Sequence, residues 1–300
     1  MNALEHELRE RFGGRIQREF PLAALTSFQI GGPADLFIAV ENEDELMEAV
    51  ASAYRHGVNY FCLGAGTNLL VSDRGMRGLV IKLGAGFASL TLDGLDLHAG
   101  AAAQFGAMVQ AAVEHGLAGL EFGEGIPGTV GGGLVMNAGA FGGEIARVVT
   151  AVHGVTATGE ARTLTRDEVR FAYRRTELPP RFIITSVDFH LQYGNRTALL
   201  ALIAELKAKR AARQPNGVPN AGSVFKNPPG NFAGRLLEGA GLKGAQLGGA
   251  AFSERHANFI VNLGGARGEE VRALIDMARH KVKEASGVWL DPEVRLVGEW

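Results

Sequence analysis

The chain has 300 residues, 46% of them hydrophobic, and its 30 Lys and Arg face 32 Asp and Glu for a net charge of -2. That length calls for two or three lobes rather than one small core, and charges of both signs mixed along the chain leave no footprint for nucleic acid, so a small-molecule partner is expected. Cys62 is the single cysteine, which excludes an intrachain disulfide framework and a cysteine metal cluster and fits a reducing compartment.

From Met1 to Phe20 charged and apolar residues alternate without the apolar run of a signal peptide or a membrane span, and a cytoplasmic protein is expected. Glu5 to Arg11 predicts a short charged helix, stopped before Pro21. The segment Thr26 to Asp35 reads as a strand ending in a tight turn, and Leu36 to Val40 as a strand. Asn42 with Glu45 three residues on predicts an N-cap, Leu46, Ala49, Val50, Ala53 and Tyr54 give the helix an apolar face, and Gly57 stops it. The next strand, Tyr60 to Leu63, runs into Gly64-Ala65-Gly66-Thr67-Asn68-Leu69. A dinucleotide-binding Rossmann turn needs a third glycine at position 69 and a helix directly afterwards, whereas this chain has Leu69, another turn and the strand Leu79 to Leu83. A phosphate cradle of backbone amides with the Thr67 and Asn68 side chains stays open.

Leu95 to Ala99 reads as a strand, and Phe105, Met108, Val109, Ala112 and Val113 mark a helix ended by Gly116. Glycines then crowd Gly125 to Glu144. Each costs roughly 0.5 to 1 kcal/mol inside a helix or strand, so neither element is expected there. The stretch is either a set of amides turned toward a large phosphorylated cofactor or a turn between buried strands. Val148 to Val155 and Glu160 to Leu164 predict a hairpin around Thr158-Gly159, followed by Phe171 to Thr176 and the strand Phe182 to Leu191. Beyond Tyr193 comes a helix carrying Leu199, Leu202, Ile203 and Leu206. Its basic end of Lys207, Lys209, Arg210 and Arg213 complements the helix dipole or sits beside a pyrophosphate. Pro215 and Pro219 give an extended lead into Asn220 to Pro228, and helices around Ala233 to Ala240 and Glu269 to Ala285 flank the strand Asn258 to Asn262.

Several residues invite chemistry. Ser223 lies in a Gly-Ser turn without a nucleophile elbow, so it either bonds its own backbone or donates a proton with help from Lys226. Arg174, after Tyr173, suits a carboxylate or a developing oxyanion, or a salt bridge within its domain. Glu293 and Arg295, two apart, would face the same side of a strand, as a surface ion pair or toward a cleft. The eight histidines show no metal-ligand spacing; His256 is read as a core or hydrogen-bonding residue rather than a catalytic one, and no metal site is expected.

Taken together, Leu63 to Asp73, Gly125 to Glu144, Tyr173-Arg174, Ala221 to Pro228, Gly241 to Gly244 with Leu247 to Ala250, and Asp291 to Arg295 occur in the order seen in the UDP-N-acetylenolpyruvoylglucosamine reductase family. The chain resembles the family's shorter subtype over about Thr26 to Gly298. Thr176 and Asn220 depart from its pattern, standing where serine is usual. The resemblance implies an α+β protein with a two-lobed FAD-binding domain of the vanillyl-alcohol-oxidase-like (PCMH) type and a smaller α+β domain for a UDP-sugar. The lobes are expected at 1–84, joined by a C-terminal strand at 289–300, and at 85–194, with the substrate domain at 195–288. Non-covalent FAD is expected on Gly64, Ala65, Gly66, Thr67, Asn68 and Leu69 and on Gly125, Ile126, Pro127, Gly128, Thr129, Gly132, Gly133, Asn137, Gly139 and Ala140. Arg174, Ser223 and Glu293 fall at the family's catalytic positions, and Tyr173, Asn227, Lys243, His256 and Arg295 at its substrate contacts. The activity implied is NADPH-dependent reduction of a UDP-sugar enolpyruvate in peptidoglycan precursor synthesis by a cytoplasmic monomer, with no nucleic acid or membrane partner. Rival readings are a sugar or alcohol oxidase on the same flavin fold, and a nucleotide-sugar-binding module without catalysis.

Overall fold

The computed structural model describes all of Met1–Trp300, and the contacts within it divide the chain into two units. The first is built from Met1–Arg18, Leu36–Gly64 and Gly78–Arg210, the second from Glu19–Asp35, Ala65–Arg77 and Ala211–Trp300. Most of the expected lobes 1–84 and 85–194 thus falls in one unit, while residues 289–300, expected with the first lobe, fall in the second together with short early stretches of chain.

In the first unit, helices α1 (Asn2–Phe12) and α2 (Glu43–Arg55) bury Leu4 and Leu8 with Leu46, Ala49 and Val50 in one core together with Leu36, Ile38 and Ile81. Helix α2 starts where its cap predicts: the Asn42 side chain accepts from the Glu45 amide at 3.0 Å, and Gly57 follows the helix at φ 62°. The strand Tyr60–Leu63 runs parallel to Leu79–Lys82 in register. Cys62 lies in that strand, where burial pushes its thiol up to about 12, so it is held as an unreactive neutral thiol. No helix of the chain is long and apolar enough to cross a membrane.

Glu7 joins α1 to α2. It accepts from Arg55, from the Ser52 hydroxyl at 2.7 Å and from His56 at 2.7 Å, and these bonds, Arg55 first, hold its carboxyl down at about 2 against an ordinary 4.5. A depressed carboxylate stabilises the fold fully above its unfolded pKa and stops doing so as pH falls toward the folded value. Glu7→Gln should therefore lower stability at neutral pH by about 1 kcal/mol or less, given solvent screening of this one-third exposed group, and by progressively less between pH 4.5 and about 2. Denaturation midpoints of the two proteins across that range would show it; a constant offset would refute it.

The unit's second core lies under a five-stranded antiparallel sheet in the order Ala161–Thr165, Val149–Val155, Ile183–His190, Asp96–Gly100, Leu90–Asp93. Leu97, Ala99, Val152, Val187 and Phe189 point inward onto helix α3 (Phe105–Glu114), and alternation leaves His98, His153, Asp188 and His190 on the other face. The glycine-rich stretch does contain a helix, the six-residue α4 (Val130–Val135), capped by the Thr129 hydroxyl. That corrects the expectation of no regular element, and the reason is close packing. A Cβ on Gly133 would lie 2.6 Å from the buried Phe105 ring, and one on Gly131 3.0 Å from Ala101.

In the second unit, Thr26 to Gly32 forms a turn and not a strand. Gln29 takes φ 56°, the Thr26 hydroxyl bonds the main chain of Ala23 and Ile30, and the strand begins only at Pro33. Its main sheet runs Asn220–Ser223, Phe259–Asn262, Ala250–Phe252, Gln246–Leu247, all antiparallel. Helices α6 (Ala233–Gly239) and α7 (Gly268–Ser286) cover it, burying Leu237, Val271, Leu274 and Ile275 with Phe225, Phe252 and Ile260. The early stretches supply Phe28, Ile30 and Leu70 to the same core, and Asp73 accepts from the first amides of α7, Gly268 at 2.7 Å and Glu269 at 3.0 Å. The C-terminal strand Arg295–Val297 lies parallel to Leu69–Val71.

Candidate functional site

The first unit brings the two glycine segments together. A Cβ on Gly64 would meet only the Thr129 hydroxyl, at 3.2 Å, and one on Gly132 would meet only the same hydroxyl, at 3.4 Å. Bare main chain is therefore accessible on both sides of Thr129. Lys82, its ammonium pulled down by burial, donates to the Gly64 carbonyl at 3.0 Å. The expected row of amides facing a ligand is shorter than the sequence suggests. Val130 and Gly131 donate to Ala103 and Ala101, and Gly132 and Gly133 to the hydroxyl and carbonyl of Thr129.

Asn137 is likewise turned into the protein. Its amide donates to Glu144 and to the Ala172 carbonyl at 3.0 Å, and its oxygen accepts from Ala146, at a left-handed φ of 42°. The effect is to pin the hairpin formed by Arg170–Ala172 and Arg175–Glu177 against the glycine-rich stretch. Thr176, one of the two departures, adds a bond from its hydroxyl to the Leu134 carbonyl. Arg174 sits at the tip of that hairpin with φ 55°, stacked on Tyr173 at 5.4 Å, and donates to the Gly139 carbonyl at 2.5 Å.

Helix α5 (Arg196–Arg213) brings a second guanidinium, Arg210, to the same place. Its side chain passes 2.8 Å from where a Cβ on Gly125 would lie and covers the Phe141 ring at 5.5 Å. Burial and then the nearby Arg174 charge pull the Arg210 pKa down, with Glu124 opposing, and its buried Nε has no hydrogen-bond partner. Two cations in reach of each other, one with an orphaned buried donor, have the chemistry to hold an anion. The sequence flags Arg210 only as one of four basic residues; inward direction comes from its place on the helix.

In the second unit, Ser223 and Glu293 are held on adjoining main chain. The Val224 carbonyl accepts from the Glu293 amide at 2.7 Å, the Asn68 side chain donates to the Glu293 carbonyl at 3.1 Å, and the Arg295 amide donates to Asn68 at 3.0 Å. Glu293 precedes the strand that starts at Arg295, so strand alternation does not set its direction; the bonds to Val224 and Asn68 fix its main chain instead. Gly222, at φ 75°, turns the chain just before Ser223, and Asn220, the other departure, caps that turn through the Gly222 amide at 2.9 Å.

Lys243 pairs with Glu238 at 3.2 Å. His256 accepts from the Asn258 amide at 3.1 Å, and its pKa is lowered by burial first, with Lys243 and Arg213 adding to the shift and Glu238 opposing it. Lys243, Arg213 and a neutral imidazole thus share one electrostatic neighbourhood. Asn227 accepts from the Ala233 amide at 3.0 Å, which starts α6, and Arg295 is exposed.

Residues 34–165 match the FAD binding domain, and residues 214–297 match the C-terminal domain of UDP-N-acetylenolpyruvoylglucosamine reductase. The UDP-N-acetylenolpyruvoylglucosamine reductase 2 of Symbiobacterium thermophilum is 44% identical over 99% of this chain and 98% of its own. The reductase of Heliobacterium modesticaldum is 43% identical over 96% and 92%. The crystal structure of UDP-N-acetylenolpyruvylglucosamine reductase from Thermus caldophilus superposes with a TM-score of 0.82 at 38% identity, covering 94% of this chain and 98% of that one. Berberine bridge enzyme, at 15% identity and a TM-score of 0.50 over 65% of this chain and 44% of its own, shares the fold alone. The expected fold class is thereby borne out, and the chain belongs to the UDP-N-acetylenolpyruvoylglucosamine reductase family.

Proposed function

We propose that this protein reduces UDP-N-acetylglucosamine enolpyruvate to UDP-N-acetylmuramate in peptidoglycan precursor synthesis, with FAD as cofactor and NADPH as hydride donor, as a cytoplasmic monomer. The observation that carries this reading is the clamp of Asn68, Val224 and Glu293, which keeps a hydroxyl-bearing and a carboxylate-bearing residue on adjoining main chain. Gly64 and Gly132, on either side of the Thr129 hydroxyl, suit FAD because the open space beside their main chain leaves room for a flat ring system, and Arg210 suits its pyrophosphate because a buried N–H there lacks an acceptor. Bound FAD would supply the hydride transfer from NADPH to the enolpyruvyl alkene.

The chain's own residues do the rest. Hydride addition to the alkene carbon remote from the carboxylate pushes negative charge toward that carboxylate, where Arg174, oriented by its bond to Gly139, stabilises it and Glu293, in its neutral acid form, adds a donated hydrogen bond. The Ser223 hydroxyl gives its proton to the carbon next to the carboxylate, completing addition of hydride and proton across the double bond. Tyr173, Asn227, Lys243, His256 and Arg295 hold the UDP-sugar, Lys243 by its charge against the diphosphate. A tethered-flavin oxidase gains nothing from Cys62, whose buried thiol stays protonated.

An absorption spectrum of the purified protein tests this directly. A yellow protein should bleach with NADPH and regain its colour on adding the enolpyruvyl substrate. Folded protein that holds no flavin even when soaked in it would defeat the proposal.

A further inference from the structure

The outward face of the five-stranded sheet carries side chains that the proposed reaction does not use. His98 on Asp96–Gly100, Asp188 on Ile183–His190 and His153 on Val149–Val155 come from three successive strands of that sheet. Asp188 is directly opposite His98, and His153 is opposite Ser186, two residues from Asp188 and so on the same face. His98 Nδ1 lies 2.6 Å from one Asp188 carboxylate oxygen and His153 Nε2 lies 2.8 Å from the other. All three potential ligand atoms fall within 4.8 Å of one another.

We propose that His98, His153 and Asp188 form a binding site for a divalent transition metal of the zinc class. Two imidazoles and one carboxylate are a donor set that zinc favours and that calcium and magnesium do not. Ligand atoms about 2.0 to 2.1 Å from a tetrahedral zinc stand roughly 3.3 Å apart. The two short contacts run to different oxygens of Asp188, so metal binding opens them by a fraction of an ångström and draws ligand atoms that lie up to 4.8 Å apart together by up to about 1.5 Å, the metal replacing the protons they share.

The surroundings fit that role. His153 Nδ1 lies 2.9 Å from the Thr163 hydroxyl on the next strand. With metal bound in place of the proton shared with Asp188, a proton on Nδ1 donated to Thr163 leaves the Nε2 lone pair for the metal, the outer hydrogen bond by which metal-binding histidines are oriented. The ligands stand on paired strands and not on loops, so their spacing is preset. The His98 side chain is 46% exposed, which admits the metal and leaves a coordination position for water. His190 and Asp96, paired at 2.6 Å on the same two strands, offer one histidine and one carboxylate and serve as the control.

The test is calorimetric titration of the flavin-loaded protein, stripped of metal by chelator, with zinc chloride. One zinc should bind per chain and raise the melting temperature. His98→Ala, His153→Ala and Asp188→Asn should each weaken binding by more than about tenfold, and Thr163→Val by about 10- to 100-fold as for an outer-shell partner. Thr163→Val keeps a β-branched residue in the strand, so its melting temperature without zinc should stay at the wild-type value, which separates loss of the metal from loss of the fold. His190→Ala should bind zinc as the parent does. Absence of stoichiometric uptake, or uptake indifferent to His98→Ala and His153→Ala, would overturn the site and leave the three residues as a hydrogen-bonded cross-strand ladder.

Discussion

Replacing Ser223 by alanine is expected to leave bleaching by NADPH within about twofold of the parent rate, while return of the yellow colour on adding enolpyruvyl substrate slows by about 10²- to 10⁴-fold, the range for a positioned proton donor. The two half-reactions separate because only the second needs a proton delivered to carbon. Alanine fits this place without rearrangement: Ser223 closes a strand whose pairing to Phe259 is made by main chain, and the clamp on Glu293 runs through Val224. Stopped-flow absorbance with each substrate in turn gives both rates. Equal slowing of both would reassign the hydroxyl to structure.

Arg210→Met is expected to act in opposite directions on flavin affinity and on the stability of the flavin-free protein. A charged hydrogen bond of about 1.5 to 3 kcal/mol lost from a phosphate corresponds to a roughly 10- to 150-fold rise in the FAD dissociation constant. In the flavin-free protein the same guanidinium is partly desolvated, beside Arg174, with an unpartnered Nε. Methionine keeps the stem that passes Gly125 and removes the repulsion, which outweighs the lost stacking of the guanidinium on Phe141, so the flavin-free variant should melt at a higher temperature than the parent. Fluorescence titration with FAD and calorimetric melting measure the two effects. If FAD affinity is unchanged and the Michaelis constant for the enolpyruvyl substrate rises instead, Arg210 serves the substrate and the phosphate assignment fails.

Where local chemistry and tertiary packing agree, the sequence is a sufficient guide. Asn42 and Gly57 bracket α2, the Thr158-Gly159 turn joins its hairpin, and the strand at Phe259–Asn262 lies where its apolar run predicts. Misreadings occur where close packing or a side chain bonding its own main chain decides. Propensity argues against a helix through Gly131-Gly132-Gly133, yet Ala101 and Phe105 press so closely that larger residues would not fit. Thr26 to Gly32 has the apolar content of a strand, but Gln29 at positive φ and the Thr26 hydroxyl bend it. The catalytic candidates are legible as motifs, whereas their supports are not: Asn68 reaches Glu293 across most of the chain, and Asn137 supports the Arg174 hairpin from outside it. The histidine cluster is invisible to spacing because each member comes from a different strand of an antiparallel sheet.

The second unit's piecemeal origin bears on biogenesis. Phe28, Ile30 and Leu70 leave the ribosome long before the helices and strands they are buried against, and the Phe28 carbonyl must wait for Asn262, its eventual donor at 3.0 Å. Nascent chains would therefore hold sticky, unfinished surface until translation is nearly over, inviting chaperone attention. Expressing Ala211–Trp300 in isolation would omit three of its own wedges and the Asp73 cap, and such a fragment should behave as a loosely ordered globule.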